Sequence, residues 1–179
     1  MQMQTETRSL MFFGLWMLTF LGMPIGGGLA RLIIGPADVP LRGLLGGLIA
    51  GAVIGLAQWL ALRQTREISP LWIAATSAGL GVGFAAALAL VGNDLSATSV
   101  TVRAAISGIA IAALQWLVLR EVVPNAWVWA LVVAVAWPVA WTITRVIGVD
   151  LTQGWVVFGA AGAIVFALVT AVTLVAIRQ

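Results

Sequence analysis

Six long apolar runs separated by short polar breaks constrain this chain more than any other feature. They cover about residues 10–34, 43–62, 71–91, 102–119, 126–147 and 154–177. A helix needs about 20 apolar residues to cross the hydrocarbon of a bilayer, and each run reaches or approaches that length. Composition agrees, with 62% hydrophobic and 8% charged residues, against roughly 25% charged in an ordinary soluble domain. A soluble fold of this size cannot hide so much apolar surface, so lipid is the natural solvent. The breaks carry the turn chemistry and most of the charge: Gly35-Pro36-Ala37-Asp38, residues 63–70, Gly92-Asn93-Asp94, residues 120–125, and Gly148-Val149-Asp150. Their shortness predicts consecutive helices that are antiparallel and adjacent. Alternation of apolar and polar residues is missing throughout, which argues against a closed barrel. The first run is longer than the roughly 7–15 residues of a signal-peptide core and reads as a retained span. The 179 residues make one membrane domain, with no room for a second, soluble one.

An internal repeat organises the runs. Asp38, Asp94 and Asp150 follow one another at a constant spacing of 56 residues. The segment Gln58-Trp59-Leu60-Ala61-Leu62-Arg63 returns 57 residues later as Gln115-Trp116-Leu117-Val118-Leu119-Arg120, and the third copy keeps only its last residue, Arg178. Trp16, Trp72 and Trp129 mark corresponding points in the odd-numbered runs. Pro24 with Arg31 recurs as Pro138 with Arg145, while the middle copy has Gly81 and Leu88 there. Each unit is one helix pair, so all units share one orientation in the membrane, and parallel repeats of this kind are related by an axis along the membrane normal. The expected fold is therefore all-α and integral to the membrane. Six transmembrane helices form three tandem hairpins (about 10–63, 71–120 and 126–178) in pseudo-threefold symmetry.

The Gly-rich helix closing in Gln-Trp-Leu-x-Leu-Arg resembles a pattern in uncharacterised polytopic membrane proteins of bacteria, including photosynthetic groups. The resemblance covers residues 43–63 and 104–120. The last hairpin departs from it, since Thr173 stands near the expected Gln and the Trp is missing. It implies a polytopic helical fold and no particular activity.

Several constellations carry possible chemistry beside an ordinary reading. Ladders of small residues at steps of four (Gly43, Gly47, Gly51 and Gly55 in the second run) let another backbone approach closely, and predict that the even-numbered helices make the closest contacts. Gln58 and Gln115 lie more than a turn inside their helices, where an amide seeks a partner across helices. The Trp after each Gln suits the interfacial belt, and the closing Arg meets the negative end of the helix dipole. The three aspartates read as turn residues near helix N-termini, or more sharply as a carboxylate ring drawing cations to one mouth. Arg31 and Arg145 each follow a proline by seven residues, about 700° of helix rotation, and so share its face. They read as interfacial arginines after a mild kink, or as an anion-binding pair of the kind broken transporter helices build. Ser77, Thr76, Ser107 and Thr142 read as packing hydroxyls.

The exclusions are broader. The chain has no cysteine and no histidine, which removes thiolate chemistry, the commonest general base and the usual haem ligand. All nine basic residues are arginine, offset by six acids to a net charge of +3, and no solvated basic face suits nucleic acid. The chain is expected not to be an enzyme, and to hold no cofactor or metal. The arginines give a slight excess on the side of the N-terminus, where Arg8, Arg63, Arg66, Arg120 and Arg178 face Arg31, Arg42, Arg103 and Arg145. This places both termini in the cytoplasm and the chain in the inner (plasma) membrane. The expected partners are the bilayer, and other membrane subunits or further copies of the chain. Its expected role is accessory or scaffold subunit, with a small-solute or ion carrier along the pseudo-axis as the alternative.

Overall fold

Apolar residues without alternation, rich in alanine and leucine, favour helix, and the computed structural model is helical throughout, with no strand among the described residues. It describes residues 2–65 and 67–177, with side chains from Leu10 onward; Arg66, Arg178 and the Arg8 side chain, which enter the orientation count, lie outside this description. Helix α1 (Gln2–Leu18) passes through a 3-10 turn (Thr19–Leu21) into α2 (Gly22–Ile34), and the two make the first span. The turn falls where Pro24 cannot supply an N–H to the carbonyl four residues back. The next spans are α3 (Pro40–Leu62), α4 (Leu71–Val91), α5 (Ala97–Leu119) and α6 (Ala126–Val146). Pro138 lies inside α6 without ending it. The last helix, α7, covers Ala160–Ala176. Five helical segments are long and apolar enough to cross a membrane, and α7 is an apolar helix shorter than these.

Local sequence sets the helix ends. Pro40 opens α3 behind an extended Val39, where its missing N–H costs nothing. The Ser96 hydroxyl caps α5 by accepting the Ser99 N–H. Gly35 and Gly92 close α2 and α4, donating their N–H to the carbonyls of Arg31 and Leu88.

Each span packs against its neighbours in sequence, and the first meets the last through α1 and α7, so the helices form a closed ring. The small-residue ladder of α3 lies against α4: Gly47 faces Gly81, Gly51 faces Ser77 and Gly55 faces Ile73. The descending partner numbers show the two helices to be antiparallel. A methyl group on Gly47 would stand 2.6 Å from the Gly81 Cα, so backbone meets backbone there. In α4 it is Gly79 and Gly83 that admit the neighbouring α5. The tight contacts thus join each even-numbered span to an odd one, rather than the even spans to one another. An even helix in a ring has two odd neighbours, and its ladder faces one of them. Large side chains such as Leu32, Leu90 and Val146 point outward, as lipid requires.

The sixth apolar run is not helical over the whole of 154–177. A short 3-10 turn (Leu151–Gln153) ends at Gly154, whose φ of 66° breaks the helical path. The β-branched and aromatic residues 155–158 then run on to Gly159, which is extended before α7 begins. Val156, Val157 and Phe158 are buried there, against Gly46 of α3, Gly27 of α2 and Trp137 of α6. At about 1.5 Å per residue, α7 alone spans about 26 Å, slightly less than a bilayer core of about 30 Å. The buried segment continues its path.

Candidate functional site

The two glutamines singled out by the repeat come together. Gln115 of α5 donates through Nε2 to Gln58 Oε1 of α3 at 3.1 Å and to Thr76 Oγ1 of α4 at 2.9 Å. Each glutamine oxygen also accepts an indole N–H. Trp72 donates to Gln58 at 3.2 Å and Trp129 to Gln115 at 3.1 Å. The donor is in each case a tryptophan in the first turn or so of the following odd-numbered span. Trp16 of the first span donates to Thr170 of α7 at 3.0 Å, so the chain's first and last spans are joined in the same way. Thr170 itself donates to the carbonyl of Phe166 in its own helix.

These groups are buried from both sides. Trp16, Trp72 and Trp129 are fully enclosed. The ring of Trp129 lies 5.7 Å, centroid to centroid, from each of the other two, within the range of favourable edge and tilted aromatic pairs. Spans one, three and five therefore touch across the ring interior through indoles, and spans two and four through amides. At this level there is no open lumen.

The residues flanking the glutamines behave differently. Trp59 and Trp116 lie half-buried on the outside, and the guanidinium of Arg63 or Arg120 sits over each ring, at 4.7 and 5.1 Å from its centroid. Trp59 also donates to the Ile68 carbonyl and holds down the following loop. The repeated motif thus divides its labour: Gln inward to the core, Trp and Arg outward at the helix end.

The aspartates sit in separate loops, each with local partners. Asp38 pairs with Arg42 one turn on at 3.0 Å. Asp94 accepts from the hydroxyls of Ser96 and Ser99, and these bonds hold its carboxyl at a pKa of about 2. Asp150 accepts from Thr152 and Gln153, which lowers its pKa too. Among the described residues no three acidic groups gather where a metal could sit. Arg31 donates through Nε to the Gln153 carbonyl at 2.8 Å, binding the first span to the loop before α7. Arg145 is exposed in the last turn of α6. Of the hydroxyls, Thr76 joins the glutamine cluster and Ser77 reaches the Leu48 carbonyl of α3. Ser107 and Thr142 bond their own helices.

The sequence reading did not single out Arg103 or Trp141. Arg103 is buried in the second turn of α5, with its Nη atoms donating to Asn93 Oδ1 and the Asp94 carbonyl. Trp141 is buried in α6 beside the non-helical 154–159 segment, and two spaces adjoin it. One, of about 170 Å³, lies among Met23, Gly27, Val157 and Phe158. The other, of about 20 Å³, lies between Arg103 and Trp155. An arginine inside an apolar run was the available signal; for the non-helical stretch that makes the neighbourhood, it was the pair Gly154 and Gly159 at either end of residues 155–158. Compared with protein-family models, with curated proteins and with solved structures, the chain matches none.

Proposed function

We propose that this chain is an accessory or scaffold subunit, packing in the inner membrane against other membrane subunits or against copies of itself, rather than a conduit or an enzyme. In this reading it crosses the bilayer six times, with both termini in the cytoplasm. Its three hairpins, descended from one, are set about an axis along the membrane normal. The indole-to-amide bond that the second and the third hairpin each make to the one before it supports that kinship. The observation that carries the functional reading is the filled interior at the Gln58–Gln115 layer, where both glutamine oxygens, the Gln115 amide nitrogen and the indoles of Trp72 and Trp129 bond another span. Its outward face is apolar along the spans, as a surface that meets lipid or further helices must be.

Two measurements test this together. Purification in mild detergent should yield a complex of defined mass, with a second membrane protein or with further copies. Reconstituted liposomes should leak small ions and neutral solutes no faster than protein-free ones. A monodisperse single chain whose vesicles flux solute would replace the scaffold by the carrier. One observation favours that second reading: spaces beside Arg103 and Trp141 open at the mouth opposite the glutamine layer.

A further inference from the structure

Burial of a guanidinium in a span is costly unless every donor and the charge find a counterpart. Arg103 is 7% exposed. Two of its nitrogens are engaged by Asn93 Oδ1 and the Asp94 carbonyl, both neutral acceptors. Its Nε–H has no partner. Among the described residues it makes no ion pair within 4 Å. The nearby Asp94 carboxylate attracts it across the turn but spends its oxygens on Ser96 and Ser99. Trp141, 6% exposed, likewise has an unpartnered indole N–H. Both residues line the same space of about 20 Å³, which Asn93, Leu151, Gly154 and Trp155 also line and which opens toward the mouth. The other fully buried indole without a partner among the described residues, Trp137, does not line it and stands edge-on to Phe158 and Phe166.

We propose that this space is an anion site, in which Arg103 Nε–H and Trp141 Nε1–H hold a halide or one oxygen of a phosphate. About one water-sized occupant fits, and the chemistry of the walls selects among such occupants. The free groups on both sides are donors. A water could accept from both but would bring no charge to the guanidinium, whereas an anion needs donors only and brings one. An anion also places a countercharge against the guanidinium, which Asp94 attracts only from beyond ion-pair distance. A metal cation is rejected by the same two N–H groups and by the arginine's charge. The site lies near the loops at one mouth, within reach of two sources of this chemistry: a free anion from the water, or the phosphate of an anionic lipid headgroup.

The test uses the full chain, delipidated in a neutral detergent. Thermal unfolding is followed as sodium gluconate is replaced by chloride or by inorganic phosphate at constant ionic strength. A parallel arm in gluconate compares bilayer discs of phosphatidylcholine with discs containing phosphatidylglycerol. A specific site raises the midpoint by about 5–10 °C at a hundredfold excess over its dissociation constant, in the free-anion arm or in the lipid arm according to its source. Trp141→Phe keeps the ring and deletes the donor, and Arg103→Gln deletes the charge; each should cut the shift to less than a third. If Arg103→Gln does not fold, Trp141→Phe decides alone. No shift of the parent chain in either arm, as expected of a trapped water, overturns the proposal. So does a shift that Trp141→Phe leaves intact.

Discussion

Gln115 is the residue on which the interior most depends, and replacing it with methionine isolates its polar role. Methionine has nearly the same length and volume, so the packing term stays small. What is lost is three hydrogen bonds to three different helices, from Gln115 to Gln58 and Thr76 and from Trp129 to Gln115. Inter-helix bonds in lipid average about 0.6 kcal/mol, which gives about 2 kcal/mol for the set. The indole N–H of fully buried Trp129 is also left without its acceptor, and an orphaned buried donor costs about a further 1 kcal/mol. A loss of about 3 kcal/mol should lower the unfolding midpoint by about 6–12 °C, read from tryptophan fluorescence in detergent. Gln64→Met is the control: that exposed amide bonds only the Leu60 carbonyl of its own helix and should move the midpoint by no more than about 2 °C. In Gln115→Met/Trp129→Phe the orphaned donor is gone, so the two losses should sum to more than the pair costs. A Gln115→Met protein that melts within 2 °C of its parent would refute the assignment of stability to this network.

Five further outcomes follow from the same structure. Gly47→Leu should cost more than about 3 kcal/mol or abolish folding, because even its Cβ would stand 2.6 Å from the Gly81 Cα. Gly28→Ala, with nothing within 4 Å of the added methyl, should be neutral or stabilise by up to about 1 kcal/mol. Thr170→Val removes the acceptor of the Trp16 indole and should cost about 1–2 kcal/mol, measured by the same melts. Gly154→Ala forces a side chain into a φ of 66° against Pro36 and should cost about 1–2 kcal/mol; with a cysteine introduced at Val157 it should also speed thiol labelling of the buried segment. Asp94 has a folded pKa of about 2 against an ordinary 3.8. A depressed carboxylate stabilises fully above its unfolded pKa and loses that contribution as pH falls. Stability should therefore decline from about pH 4 to about pH 2, less steeply in Asp94→Asn, as an acid titration of the melting midpoint will read.

How much of this could be read beforehand depended on whether a residue's role is local or set by the ring. The spans were legible because apolar length is a property of the chain itself. The pairing of Gln58 with Gln115 was legible as a need, since an amide inside an apolar helix must find a partner, but the indole acceptors and donors come from other spans and no spacing along one helix shows them. The ladder of α3 showed that a backbone would approach; that the backbone is α4 follows from ring order, which small residues do not encode. Residues 154–159 were read as helix because they are apolar, and polarity alone does not separate a buried extended segment from a helix. Gly154 and Gly159 bracketing a Val-Val-Phe run carried the contrary signal. Arg103 was counted as a boundary charge, because the start of α5 was set five residues late, at 102 instead of Ala97.

The sixth apolar run departs from the repeat at both of its ends. Where the other units carry an amide facing inward, α7 offers threonines. Thr170 and Thr173 spend their protons on carbonyls of their own helix, so α7 can accept an indole but cannot reach across the interior as Gln115 does. At the other end of this run α7 begins late, at Ala160, and residues 154–159 before it pack as a bent, non-helical segment. Open space lies beside Trp141 and Trp155, next to that segment. The complete motif closes the interior where Gln58 meets Gln115, and at the opposite mouth Arg103 and Trp141 keep donors that the protein does not satisfy.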